Sequence, residues 1–359
     1  MISDGAPGSG PRITDTLIIG AGQSGLAAAY YLQQRGVACL VLDERPTVGH
    51  IWATRYSSLR LYSPAWASNL PGLPWPGAAS RYPTAQEAAR YLAHYAHHFK
   101  FSIEHNQRVT LVEPAPGGYL VHTADGRQYS ARRILVCTGP YTAPKIPDFA
   151  ATLHPALQQL HSSQYQHPRQ LPGTGPVAVV GSGNSALQIA ADVAATGRPV
   201  VLAFDEKTPA APNNTAMWLL LLTTGMLEAG RDKWLGRFMR SQPEPVVRQD
   251  LQHLRRLPNV QFIGRALQVT GPTSLRGQLA DTPSLDAVVW ATGYAPDYGW
   301  LQVPGALTAA GEPAQNRGLS PVPGLAFLGL PWQRNRRSAL MGGAAADARY
   351  VIQQLLKST

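Results

Sequence analysis

Short apolar runs alternate with stretches of helical composition along most of the chain, an order that predicts repeated strand–helix–strand units. Residues 16–19 form the first run, the turn Gly20-Ala-Gly-Gln-Ser-Gly25 follows, and residues 26–34 have helix composition closed by Gly36. A run at 37–42 completes a βαβ unit and delivers Asp43 and Glu44 at its carboxyl end. The order returns at 177–180, with Gly181-Ser-Gly-Asn-Ser-Ala186, a helical stretch to Ala195, Gly197, and a strand at 200–204 ending in Asp205, Glu206 and Lys207. Two more apolar strands stop in small glycine turns: 133–136 runs into Cys137-Thr138-Gly139, and 287–290 into Ala291-Thr292-Gly293-Tyr294. Strands alternating with helices in this way predict an α/β fold.

The glycine turns have a specific chemistry. Gly20 permits a tight turn, Gly22 lets backbone N–H groups approach a pyrophosphate, and Gly25 lets the helix pack closely on its strand. Gln23 and Ser24 open that helix, whose N-terminus favours phosphate charge. An acid about 20 positions on accepts from a ribose hydroxyl, and Asp43 has that placement. The second turn repeats the pattern with Gly181, Ser182, Gly183, Asn184 and Ser185, and Ala186 replaces the third glycine while still permitting close packing. A second dinucleotide is implied.

Composition narrows the class. The chain of 359 residues is 44% hydrophobic and 14% charged, which fits a globular protein long enough for two domains. Its formal charge of +10 favours anionic ligands such as dinucleotides, yet no basic run marks a specific nucleic-acid site. Cys39 and Cys137 are the only cysteines and form no CxxC, which argues against a dithiol reductase and fits a reducing cytoplasm. Residues 1–12 read as a loose Gly/Pro/Ser-rich tail and not a signal peptide. The apolar run at 218–222 is far shorter than the roughly 20 residues of a membrane span; core packing is its default, with a substrate-pocket wall or membrane-surface contact as alternatives. Nothing in 209–257 as a whole is placed by pattern.

Other clusters read as structural before functional. His94, His97 and His98 have helical spacing, and the flanking Tyr91, Leu92, Tyr95 and Phe99 make an amphipathic helix the expectation over a metal site. Arg334, Arg336 and Arg337 read as a solvated loop or a grip on an anion, and Cys137 as a buried, inert thiol.

Together these segments resemble the class B flavin-dependent monooxygenases over nearly the whole chain. The turn at 20–25 is similar to their FAD fingerprint, that at 181–186 to their NAD(P)H fingerprint, and 291–294 to their ATGY segment. Gly49-His-Ile-Trp52 resembles a GGxW segment near the flavin, and Leu59-Arg-Leu61 with 70–76 the leucine and proline-rich loop that follows. Two departures stand out. The signature FxGxxxHxxx(Y/F) is matched at His161 and Tyr165, but Pro155 and Leu157 hold its Phe and Gly places; and Tyr62 stands where many members carry an Asn near the flavin.

The resemblance implies two Rossmann-like dinucleotide-binding domains: a tail at 1–13, an FAD-binding domain at 14–150 and 291–359, and an NAD(P)H-binding domain at 151–290 inserted between its halves. Pro144, Pro147, Pro172 and Pro176 fall in the linkers. It places Gly20, Gly22, Gln23, Ser24, Gly25, Asp43 and Glu44 at FAD, along with Trp52, Arg60, Val109, Cys137, Thr138, Gly139 and Leu330. NAD(P)H is assigned residues 181–186, Asp205, Lys207, Ala291, Thr292 and Gly293. Residues 340–356 have helical composition, and the family analogy points the N-terminus of that helix at the flavin ring. No catalytic side chain is assigned; Tyr62 and Trp52 are flavin-pocket candidates. The implied activity is an NADH- or NADPH-dependent monooxygenase using molecular oxygen on a small sulfide, amine or ketone, or an NAD(P)H oxidase or flavin-mediated reductase of the same fold. A homodimer is compatible with it.

Overall fold

A computed structural model describes residues 10–357. The chain begins with β1 (Arg12–Ile19), α1 (Gln23–Gln33) and β2 (Cys39–Leu42), then α2 (His50–Ala53) and α3 (Ala85–His98). Strands β3 (Ile103–Glu104), β4 (Val109–Ala115), β5 (Gly118–Thr123) and β6 (Gln128–Val136) complete most of a seven-stranded sheet of order β3-β2-β1-β6-β5-β4. β1, β2, β3 and β6 run parallel, while β4 and β5 form an antiparallel meander on β6. The carboxyl-terminal parts of its central strands, Leu17 to Ile19 in β1 and Ile134 to Val136 in β6, are covered on both faces, which is why they are continuously apolar.

β1 starts at Arg12, inside the segment expected to be a loose tail at 1–13; residues 1–9 lie outside the described ones. Arg12 opposes Tyr129 of β6 and forms an ion pair with Glu104, so polar edge contacts extend the strand beyond its apolar run. α3 is capped by a reciprocal Thr84–Glu87 box and turns Tyr91, Leu92 and Tyr95 inward, leaving its histidines on the outer side.

The chain leaves this sheet through β7 (Ala143–Pro144) and builds a second one from β8 (Gln158–His161), β9 (Val177–Val180), α4 (Asn184–Ala194) and β10 (Val200–Ala203). Between β11 (Ala210–Ala211) and β12 (Val246–Val247), which pair, stand α5 (Thr215–Thr223) and α6 (Trp234–Ser241); α7 (Arg248–Leu254) and β13 (Val260–Phe262) follow. A hairpin of β14 (Ala266–Gly271) and β15 (Ser274–Gly277) leads to β16 (Ala287–Trp290), giving a parallel sheet of order β13-β10-β9-β16-β8. β9, β10 and β16 are buried at every position.

The return path is β17 (Tyr294–Ala295), which pairs antiparallel with β7, so outgoing and returning linkers form one two-stranded joint. β18 (Leu325–Phe327) then joins β6, and the first sheet is finished only after the second has been made. α8 (Ala344–Leu355) packs its buried side with α1 in the first core. The helical region expected from 340 starts with a separate 3-10 turn at Met341–Gly343, and the α-helix begins at Ala344.

Residues 209–257 hold three short helices that pattern reading left unplaced. In α5, Trp218 is buried with Leu227 and Ala67, but Leu219 and Leu220 stay about half exposed. Core packing is therefore wrong for much of the apolar run at 217–222. A helix that is apolar all round can turn only one side inward when it lies on the surface.

Candidate functional site

At the carboxyl end of β1, Gly20 has φ +105° and a Cβ there would lie 2.7 Å from the Cys137 carbonyl oxygen. A Cβ on Gly25 would collide with the Gly20 carbonyl oxygen, so α1 needs hydrogen at this position to sit against the turn. Gly22 differs: a Cβ meets nothing within 4 Å, and its φ of −74° suits any residue. The open space lies in front of an α1 N-terminus that no side chain caps, so its first amides are left for an outside acceptor.

Asp43 is fixed beside this turn. Its Oδ2 accepts from the Ala21 N–H (2.5 Å) and its Oδ1 from the Arg45 N–H (2.8 Å). Glu44 instead is exposed and pairs with Arg45 at 2.8 Å. At the end of β6, the Thr138 hydroxyl is buried without a hydrogen-bond partner, and Cys137 is a buried thiol whose pKa burial pushes well above its ordinary value. Gly329, before Leu330, approaches Ser24 so closely that a Cβ would lie 2.5 Å from its hydroxyl. An open amide cradle, a fixed carboxylate and an orphaned hydroxyl fit a dinucleotide, and FAD suits them. Val109 opens β4 and Trp52 is half-buried against the main core.

The second turn repeats this geometry on β9. A Cβ on Gly181 would collide with the Ala291 carbonyl, and Ala291 N–H donates to Val180 (2.7 Å). Gly183 again faces open space at an N-terminus without a side-chain cap. Ser182 Oγ accepts from the Asp205 N–H at 2.8 Å, and Asn184 Oδ1 from the Val247 N–H at 2.7 Å. Ala186 is fully buried, as close helix packing demands. The Asp205 carboxylate accepts from the Lys207 N–H at 3.0 Å and stands 4.0 Å from Arg265 Nε, while Glu206 pairs with Arg255. Neither arginine was reached from the sequence. They follow distant elements and come alongside only because β13 pairs with β10.

Between the two turns runs the joint. His161 is buried; its Nε2 lies 2.9 Å from the Gly293 carbonyl oxygen and its Nδ1 2.9 Å from Ser163 Oγ. Burial holds its pKa below the ordinary imidazole value, partly offset by the Gly293 bond, so the neutral ring donates to that carbonyl. The ring packs edge-on against Tyr294, whose hydroxyl accepts from Arg55. Thr292 donates to the Lys145 carbonyl across the paired linkers. Tyr165 donates to Asp192 at 2.8 Å. The two matched signature residues thus anchor the second lobe and its joint.

Gln188 of α4 crosses the lobes, contacting the Tyr56 hydroxyl at 3.2 Å and the Arg60 backbone at 3.4 Å. Tyr62 keeps 37% of its surface open, yet the surrounding protein drives its phenol pKa far upward, with Tyr56, Tyr141, Glu244 and Asp250 adding smaller contributions. Arg334, Arg336 and Arg337 are neither a solvated loop nor a free anion grip: they pair with Asp347 (3.2 Å), Glu244 (3.2 Å) and Glu228 (2.5 Å). Among the described residues no group of three or more His, Cys, Asp or Glu is placed to hold a metal ion, and no helix is long and apolar enough to cross a membrane.

Residues 17–319 match the family described as pyridine nucleotide-disulphide oxidoreductase. An uncharacterized CzcO-like oxidoreductase of Geobacillus kaustophilus is 38% identical over 96% of this chain and 99% of its own. The solved flavin-containing monooxygenase of Stenotrophomonas maltophilia is 27% identical, with a TM-score of 0.76 over 96% of this chain and 98% of that one. A bacillithiol disulfide reductase from Bacillus cereus, at 18% identity and a TM-score of 0.73, shares the fold over 97% of this chain and 100% of its own.

Proposed function

Because the chain belongs to the pyridine nucleotide-disulphide oxidoreductase family, and within it resides with the class B flavin monooxygenases, we propose that the turn at 20–25 holds FAD and the turn at 181–186 its NAD(P)H donor. The chain is an NAD(P)H-dependent flavoprotein oxidoreductase of the monooxygenase type. The observation that carries the two-dinucleotide reading is the pair of uncapped helix N-termini, each behind a glycine with free space, on sheets joined by one ribbon; the order of the two along the chain, as in the resembled family, assigns FAD to the first.

When bound, the nicotinamide supplies hydride and the flavin accepts it and activates oxygen. The chain's residues bind and orient. The amides of Gln23 and Ser24 would face a pyrophosphate, Asp43 would accept from a ribose hydroxyl, and Thr138 would give its unused hydroxyl to the cofactor. Asn184 and Ser185 open the second cradle. The joint of Thr292, Gly293 and His161 sets the angle at which the second lobe presents its ligand.

The substrate of this reading is a small sulfide, amine or ketone. A second reading, an NAD(P)H oxidase or flavin-mediated reductase, draws on Tyr62, which stands where many members of the resembled family carry an Asn and keeps 37% of its surface open to water. A reductase running through its own dithiol is ruled out by geometry. Cys39 lies opposite Thr16 while Cys137 stands beside the far end of β1, roughly 13 Å along the strands, and a disulfide needs Cα atoms within about 7 Å. With thioanisole as probe, sulfoxide formed should match NAD(P)H consumed. Hydrogen peroxide accounting for all turnover would remove the oxygenation reading and leave the oxidase.

Donor choice rests on Asp205. A carboxylate accepts from the 2′-hydroxyl of NADH and repels the 2′-phosphate of NADPH. On that ground NADH is used at least as well as NADPH; Arg265, exposed with its Nε 4.0 Å from Asp205, and Lys207 are the cations that a 2′-phosphate would meet.

A further inference from the structure

The outer face of α6 has no role in the cofactor sites. Trp234 is 74% exposed and Phe238 58%, and their i, i+4 spacing puts them on one side of the helix. Gly236 is buried, so the opposite side is turned inward. Lys233, Arg237 and Arg240 follow the same spacing and form a stripe about 100° from the aromatic pair.

The carboxylates near this stripe are already paired. The carboxylates of residues 215–245 are Glu228, Asp232 and Glu244, and each has a cation: Arg337, Arg231 and Arg336 respectively. Among the described residues Lys233, Arg237 and Arg240 have no carboxylate within ion-pair distance. The segment is held to the first lobe by Arg337 and Arg336 and by burial of Trp218 and Leu227 against Ala67. Its inner side is thus fixed, while its outer side carries exposed aromatics beside unbalanced positive charge.

From this we infer that the outer face of α6 docks on an anionic lipid bilayer. Trp and Phe seat at the headgroup boundary, and the adjoining cations meet lipid phosphates. A second copy of the chain fits worse: an isologous contact sets the patch on itself, so each stripe would face like charge.

FAD-loaded protein is floated with extruded vesicles of phosphatidylcholine, alone or mixed with phosphatidylglycerol. Binding is expected only to the anionic vesicles and weakens as salt rises. The triple variant K233Q/R237Q/R240Q should bind about a hundredfold more weakly, and W234S/F238S about tenfold more weakly. Both should keep their flavin absorbance and their rate of NAD(P)H oxidation in solution, which separates loss of docking from loss of fold. Wild-type protein left behind by anionic vesicles overturns the inference, as does a W234S/F238S variant that floats like wild type. A dimer in size-exclusion chromatography that W234S/F238S dissociates also overturns it, assigning the face to self-association.

Discussion

The two glycine turns are built alike and finished differently. At the first, both oxygens of Asp43 are held by backbone amides, and the chain returns after the second sheet to press Gly329 onto Ser24. At the second, Asp205 has one backbone donor and an exposed arginine at 4.0 Å, and the later chain meets the turn through Ala291 behind Gly181 and the Val247 N–H on Asn184. A carboxylate fixed at both oxygens suits a resident cofactor, whereas a rim with flexible side chains suits a donor that must leave each cycle. On the proposed assignment the same local motif serves two roles, set by what packs around its acidic residue.

Gly22→Val is the strongest way to break that contrast. A Cβ at this position meets no protein atom within 4 Å, so the fold should survive while the yellow chromophore is lost, read as the ratio of flavin to protein absorbance. A Gly22→Val protein with full FAD would reverse the roles or end the assignment. Gly183→Val is the matched partner: flavin content stays, and anaerobic reduction by NAD(P)H falls by two orders of magnitude or about that.

Asp205→Arg sharpens the difference at the rims. It should move the NADPH-to-NADH ratio of kcat/KM by about tenfold toward NADPH, roughly 1.4 kcal/mol. Wild type already favouring NADPH by more than about tenfold would contradict the donor reading.

The smallest effect lies at the joint. Burial lowers the pKa of His161, so the unfolded chain binds the proton more readily than the folded one. Its stabilising contribution is complete above about pH 6.5, the ordinary imidazole value, and is lost as pH falls through the lowered folded-state value. His161→Gln should cost about 1 kcal/mol at neutral pH and flatten the fall in Tm between neutral and mildly acidic solution; an equally steep fall in the variant would assign that dependence elsewhere.

Much of the frame was legible because it is local. β9, β10 and β16 are unbroken apolar runs, and strands buried on both faces admit little else. The boundaries were less so: β1 reaches back to Arg12 through a polar contact with Glu104, a residue 92 positions away. The loop containing Arg334, Arg336 and Arg337 was misread for a related reason, since a charge's partner cannot be known from its neighbours in the chain.

By itself the sequence determined the two glycine turns, because the strand–glycine turn–helix order, the positive φ of Gly20 and Gly181 and the contact of Gly25 with Gly20 all lie within a few consecutive residues. Only the tertiary structure decided that Gln188 bridges the lobes, that Arg265 stands by Asp205, and that Trp234 and Phe238 face outward beside unpaired cations. Those placements depend on which strands pair and which helix face is covered, and both are set by burying apolar surface over the whole chain.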